Sequence, residues 1–222
     1  MSDAANPLGD LRRPPPAVRW IVGIILVLAL VRLVLPDRLD APLMFYGATA
    51  LSFGGAFQPQ RLYTLFTGAF LHGGLLHAAM NVLWILVLGP VVCRRLGTLR
   101  FVAFYLTTAA AGGALHMALN WQASPFLVGA SGAVFGLIGA GAYVLLRPRP
   151  GHAKVTWRDY VQYMVLFVVL NLGYAAMGPM FGGGGRVSWE GHLGGFAAGL
   201  VLFPLLAWGR ANPDAAGTRG RP

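Results

Sequence analysis

Ser131 and His192 are the side chains around which a reaction could be built. Ser131 stands in the run Gly129-Ala130-Ser131-Gly132-Ala133-Val134-Phe135-Gly136, and His192 opens the run His192-Leu193-Gly194-Gly195. A serine hydroxyl is a weak nucleophile at neutral pH and needs an imidazole to accept its proton. His77 and Asn81 are four residues apart, so on a helix they share one face. Both can donate to an oxyanion, as can the Ser131 amide near a helix N-terminus. Together these are the parts of an acyl-transfer site. Each also has a plainer reading. A lone serine among small residues usually packs helices or bonds its own backbone. A histidine at a wet helix end costs little, and a His/Asn pair can simply join helices.

Position decides how much weight the set carries, and position follows from the medium. The 222 residues are 56% hydrophobic and 11% charged, with a mean hydropathy of +0.63. Lipid is the solvent that suits such a chain. The formal charge of +10 is not gathered on one polar segment, as nucleic-acid binding would require, but punctuates apolar runs. Runs of about 20 residues, enough to cross the bilayer, lie near 18–36, 71–93, 99–120, 126–146, 159–179 and 190–208. Six spans put Arg12, Arg13, Arg19, Arg94, Arg95, Arg100, Arg147, Arg149, Lys154, Arg158, Arg210, Arg219 and Arg221 on one side. That side is then cytoplasmic and holds both termini. The stretch 41–57, interrupted by Gly47, Gly54 and Gly55, is expected to be a loop in the outer interface. Residues 1–17 and 209–222 are expected to be short cytoplasmic tails around one domain, 18–208.

In that topology the second, fourth and sixth helices run the same way, so His72, His77, Asn81, Ser131 and His192 reach one layer near the outer face. Ser131 is expected about five residues into its helix, roughly 8 Å down. Gly195 and Gly199 form a small face one turn apart on the last helix, matching Gly132 and Gly136 on the fourth. Docking those faces would bring His192 to Ser131. Glu190, two residues from His192, points to nearly the opposite face, which favours a dyad without a carboxylate. His116 and His152 are expected at loops or interfaces, with no role. His72 is expected to line a water path or face headgroups.

Other chemistries lack carriers. The six helical cores contain no Asp or Glu for an ion or proton relay. There is no His-Glu-x-x-His helix for zinc and no intramembrane aspartate pair. Ala133 departs from the Gly-x-Ser-x-Gly elbow of soluble hydrolases. Cys93 is the sole cysteine, so no disulfide forms within the chain. No metal or organic cofactor is expected.

These motifs resemble those of the bacterial rhomboid intramembrane proteases: Gly129-Ala130-Ser131-Gly132, His77-x-x-x-Asn81 with His72 upstream, His192-Leu193-Gly194-Gly195, and Arg61 in the first loop. The resemblance covers residues 18–208. It implies an all-α, six-helix membrane bundle with an interfacial first loop. Ser131 would be nucleophile and His192 base, with His77 and Asn81 stabilising the oxyanion, while His72, Gly129 and Phe135 would support or gate the site. It also implies transmembrane protein substrates, small residues at the scissile bond with helix breakers nearby, and a bacterial inner membrane location. The glycine-rich loop 178–190 resembles the cap over a rhomboid site, which would move with the outer end of the fifth helix. Gln60, Cys93 and Phe135 depart from the family's usual tryptophan, glutamate and tyrosine. A silent scaffold of the same fold would be expected to lack the serine or histidine. A small-molecule transporter would be expected to carry buried charges or inverted repeats.

Overall fold

A computed structural model describes residues 14–35, 37–53, 55–122, 126–146, 156–178 and 187–208. The glycine-rich stretch Gly182 to Gly185 expected to act as a cap, His152, the basic residues Arg147, Arg149 and Lys154, and most of both tails lie outside them. The described chain is largely helical: α1 (Pro16–Val34), α2 (Asp37–Gly47), α3 (Thr64–Thr67), α4 (Leu75–Leu96), α5 (Thr98–Leu119), α6 (Ser131–Leu145), α7 (Trp157–Met177) and α8 (Trp189–Ala207). Two strands of two residues, β1 (Ser52–Phe53) and β2 (Ala56–Phe57), form a small hairpin in the first loop.

Local chemistry sets the ends. Pro16 occupies the first turn of α1, where a missing N–H costs nothing. Gly97, at φ +76°, ends α4 and caps α5. Thr156 and Asp159 close a reciprocal capping box at the start of α7. The Ser188 hydroxyl accepts the Gly191 amide at the start of α8.

Five helices, α1, α4, α5, α7 and α8, are long and apolar enough to cross a membrane. The fourth expected span, 126–146, is shorter than its apolar run. α6 has 15 residues, about 22 Å of helix, because residues 126–129 are not helical and Ala130 is a turn leading into the helix. Their backbone is satisfied by the first loop: Leu127 and Thr49 exchange hydrogen bonds of 2.9 and 2.8 Å, and the Gly129 amide donates to the Gly68 carbonyl at 2.9 Å. Non-helical backbone is tolerated at membrane depth when protein covers it in this way. Ser131 is therefore the first residue of its helix, not five residues inside it.

α6 is the central post, with Ala133, Val134, Phe135, Leu137 and Ala140 fully buried. Glycines let α8 lie directly against it. A Cβ on Gly195 would strike the Gly132 carbonyl, and one on Gly199 the Gly136 carbonyl. Because the partners advance together along both helices, α6 and α8 run parallel. α5 closes behind them, where Gly112 lies against the backbone of Gly191 and Gly132. At the far end, Arg100 of α5 donates to the Leu206 carbonyl of α8 at 2.6 Å. α7 is peripheral; 6% of its apolar window is buried, with Val165, Val169 and Leu172 exposed.

The first loop is tied down by Arg61, which is 6% exposed and donates to the carbonyls of Ala50 at 2.8 Å, Ala48 at 3.3 Å, and Phe45. Its guanidinium lies 4.8 Å from the Phe45 ring centroid. The stretch expected to be a loop begins with α2, whose 11 residues span about 17 Å and cannot cross a bilayer. Arg32 at the end of α1 holds α2 through Asp40 at 2.6 and 2.9 Å, and also donates to the His72 carbonyl. The guanidinium keeps the Asp40 carboxyl below the usual carboxylate range.

Candidate active site

Three helix starts converge on one cavity. It measures about 230 Å³ and is bordered by Ser131 of α6, His192 of α8, His77 of α4, Tyr174 of α7 and Ser188, with Arg32, Met44 and residues 126–128 completing its outer wall. That volume is many times the roughly 15 Å³ one water needs. Ser131 sits where the Gly129 backbone turns into α6. Gly129 has φ +123°, a region that side chains disfavour. A Cβ there would also lie 2.8 Å from the His77 ring. The absent side chain therefore sets both the turn and the seat of His77.

His192 is 1% exposed. Its ring stacks on Phe135, with centroids 4.1 Å apart and planes at 14°, and meets Tyr174 edge-on at 5.4 Å. Its Nδ1 lies 2.9 Å from Oδ1 of Asn171 on α7. Phe135 thus supplies the stacking surface without a hydroxyl. Ser131 and His192 border the same cavity, and no hydrogen bond joins their side chains among the described residues. In an empty site such bonds are often long and tighten only around substrate.

The other expected site residues fall differently. His72 precedes α4 rather than belonging to it, and is 2% exposed. Its Nε2 accepts the Ala130 amide at 3.3 Å, its Nδ1 faces the Phe70 carbonyl at 3.3 Å, and its ring packs edge-on against His77 at 4.9 Å. It supports the turn before Ser131; it faces neither headgroups nor the cavity. Asn81 is fully buried and does not border the cavity; its Nδ2 donates to the His77 carbonyl at 2.9 Å. That bond leaves the second Nδ2 hydrogen free for another acceptor.

Three polar groups had no role in the sequence reading and have one here. His116, expected at a loop or interface, is 9% exposed inside α5. Its Nδ1 lies 2.7 Å from the Ser188 hydroxyl and 3.6 Å from Glu190. Glu190 also accepts from Asn120 at 3.2 Å, so its carboxylate is engaged away from His192. Asn171 is the third. Its signal was available: an amide deep in an apolar span, four residues from Phe167.

Comparison with known proteins decides the lineage. A sequence model of the Rhomboid domain matches residues 59–209, more than half of the chain. The chain belongs to the rhomboid family. It is 31% identical over 161 residues to RHOMBOID-like protein 5 of Arabidopsis thaliana, covering 68% of this chain and 47% of that protein. It is 30% identical over 191 residues to Rhomboid-like protease 3 of Toxoplasma gondii, covering 84% of this chain and 67% of the relative. The match to Rhomboid protease GluP of Bacillus subtilis is 31% over 157 residues, covering 71% and 28%. The chain spans about half the length of the first of these relatives. Rhomboid membership and the apolar helices make it an integral membrane protein. Relatives in a plant and a protozoan mean that kinship alone does not assign a bacterial host.

Proposed function

We propose that this rhomboid is an intramembrane serine endopeptidase in which Ser131 is the nucleophile and His192 the general base. The observation that carries this reading is the single cavity onto which Ser131, His192 and His77 all open from three separate helices. In the proposed reaction, His192 Nε2 takes the hydroxyl proton as Ser131 Oγ adds to the scissile carbonyl carbon. The developing oxyanion meets donors from the Ser131 amide, from His77, and from the free Nδ2 hydrogen of Asn81 once that side chain turns to the cavity. Collapse breaks the C–N bond, and His192 returns its proton to the leaving amine. A water then attacks the acyl-serine with the same base, releasing the acid and restoring Ser131.

The substrate is a transmembrane segment of another membrane protein, unwound where it is cut, since helical amides are already hydrogen-bonded and shielded. α6 is the fourth crossing of a six-span bundle; it is short because it is enclosed by protein rather than lipid. Both termini lie in the cytoplasm of a bacterium, and the site opens toward the outer face of the inner membrane. The test is cleavage of a reporter transmembrane helix by purified protein in detergent, against Ser131→Ala and His192→Ala variants of matched folding. Loss in both supports the dyad. A wild type that cuts no reporter would favour a silent scaffold of the same fold, and variants that still cut would overturn the residue assignment.

A further inference from the structure

His192 has two ring nitrogens, and only the one carrying no hydrogen can accept a proton from Ser131. Which one that is depends on what the other nitrogen faces. His192 Nδ1 faces Oδ1 of Asn171 at 2.9 Å. The two ends of an amide look alike, but here a second contact distinguishes them: Asn171 Nδ2 donates to the Phe167 carbonyl one turn back at 2.9 Å. A carbonyl accepts only, so the nitrogen end of the amide is committed to Phe167. The oxygen end is what His192 sees. An oxygen that only accepts requires a hydrogen on Nδ1, which leaves the Nε2 lone pair free.

We infer that Asn171 is a positioning residue for proton transfer, holding His192 in its Nδ1–H tautomer so that Nε2 is the base for Ser131. The inference rests on the dyad reading above. Phe135 and Tyr174 fix the plane of the ring by stacking and edge contact. They do not distinguish its nitrogens. The nearest carboxylate, Glu190, is engaged by Ser188, Asn120 and His116. Asn171 therefore does by neutral hydrogen bonding what a triad carboxylate does in soluble serine hydrolases, namely orient the imidazole. It comes from α7, the least enclosed helix, so its placement also depends on α7 lying closed against Phe135 through Phe167 and Tyr174.

The test combines kinetics with a direct view of the ring. In wild type carrying ¹⁵N-labelled histidine, the His192 resonances, assigned by loss in His192→Gln, should show a protonated Nδ1 and a bare Nε2. Asn171→Leu, which keeps the volume and removes the acceptor, should lower kcat by about tenfold to a hundredfold. KM for the reporter helix should stay within about twofold, as expected when ground-state binding is untouched. Asn171→Asp, which keeps an acceptor facing Nδ1, should recover most of that kcat. A bare Nδ1 in wild type would overturn the inference, as would an unchanged kcat in Asn171→Leu while Ser131→Ala and His192→Ala are inactive. If those two variants themselves cut, the dyad reading fails and the inference with it.

Discussion

Among the described residues, two serine and histidine pairs, Ser131 with His192 and Ser188 with His116, both draw on the start of α8, and they are built oppositely. Around Ser188 every polar valence is spent. Its hydroxyl accepts the Gly191 amide at 2.9 Å, lies 2.7 Å from His116 Nδ1, and donates to Glu190 at 3.2 Å. Glu190 in turn takes the Asn120 amide. That is a clasp: it caps α8 and ties its start to the end of α5. Around Ser131 the hydroxyl faces a cavity, and His192 is held by its ring faces and by one nitrogen only. A group whose bonds are all satisfied is good structure and poor chemistry, because reaction needs an unspent lone pair. On the proposed reading, the pair that looks more like a triad, with its carboxylate in place, is the structural one.

Substitutions should separate the pairs sharply. Ser131→Ala and His192→Ala should each lower reporter cleavage by about a thousandfold or more, with melting temperatures near wild type. Ser188→Ala and His116→Ala should keep cleavage within about threefold and lose stability instead. For Ser188→Ala, removal of an N-cap predicts about 1 kcal/mol, readable by thermal unfolding in detergent. Equal loss of activity in both pairs would dissolve the distinction.

The next largest effect tests how the open pair is seated. Gly129→Ala must take a positive φ and also meets the His77 ring at the cavity wall. Cleavage should fall by about tenfold to a hundredfold, the scale on which small misplacements act, while the protein still folds. On the α6/α8 seam, Gly199→Val drives a side chain into the Gly136 carbonyl. Overpacking of that kind costs about 1–3 kcal/mol, and the shift should appear in unfolding before it appears in kcat of the folded fraction.

The smallest effect lies in the first loop. Asp40 has a folded pKa below its unfolded value because Arg32 bonds it. Its contribution is therefore present above the unfolded carboxylate pKa, about 4, and is lost as pH falls through the folded value. Asp40→Asn should flatten the decline in melting temperature below about pH 4 and leave cleavage at neutral pH nearly unchanged.

Much of this was legible in the sequence because it depends on local spacing. Glycines one turn apart on two helices specified which faces meet, and the structure pairs Gly195 with Gly132 and Gly199 with Gly136. What was not legible depends on partners far away in the chain. Nothing within 126–146 reveals that its first five residues stand outside the helix; hydrogen bonds with Thr49 and Gly68 hold Leu127 and Gly129. His72 reads as a site histidine, yet its ring nitrogen is taken by the Ala130 amide 58 residues on. The spacing of His77 and Asn81 puts them on one face of α4, but it does not show that Asn81 is fully buried and set back from the cavity. His116 has no motif at all and acquires its role from Ser188, 72 residues later.

The most direct test of the account is to ask which serine is reactive. Wild-type protein treated with a serine-directed fluorophosphonate and digested for mass spectrometry should carry the adduct on Ser131 and not on Ser188, and His192→Ala should carry almost none. An adduct on Ser188, or labelling of Ser131 that persists undiminished without His192, would contradict it.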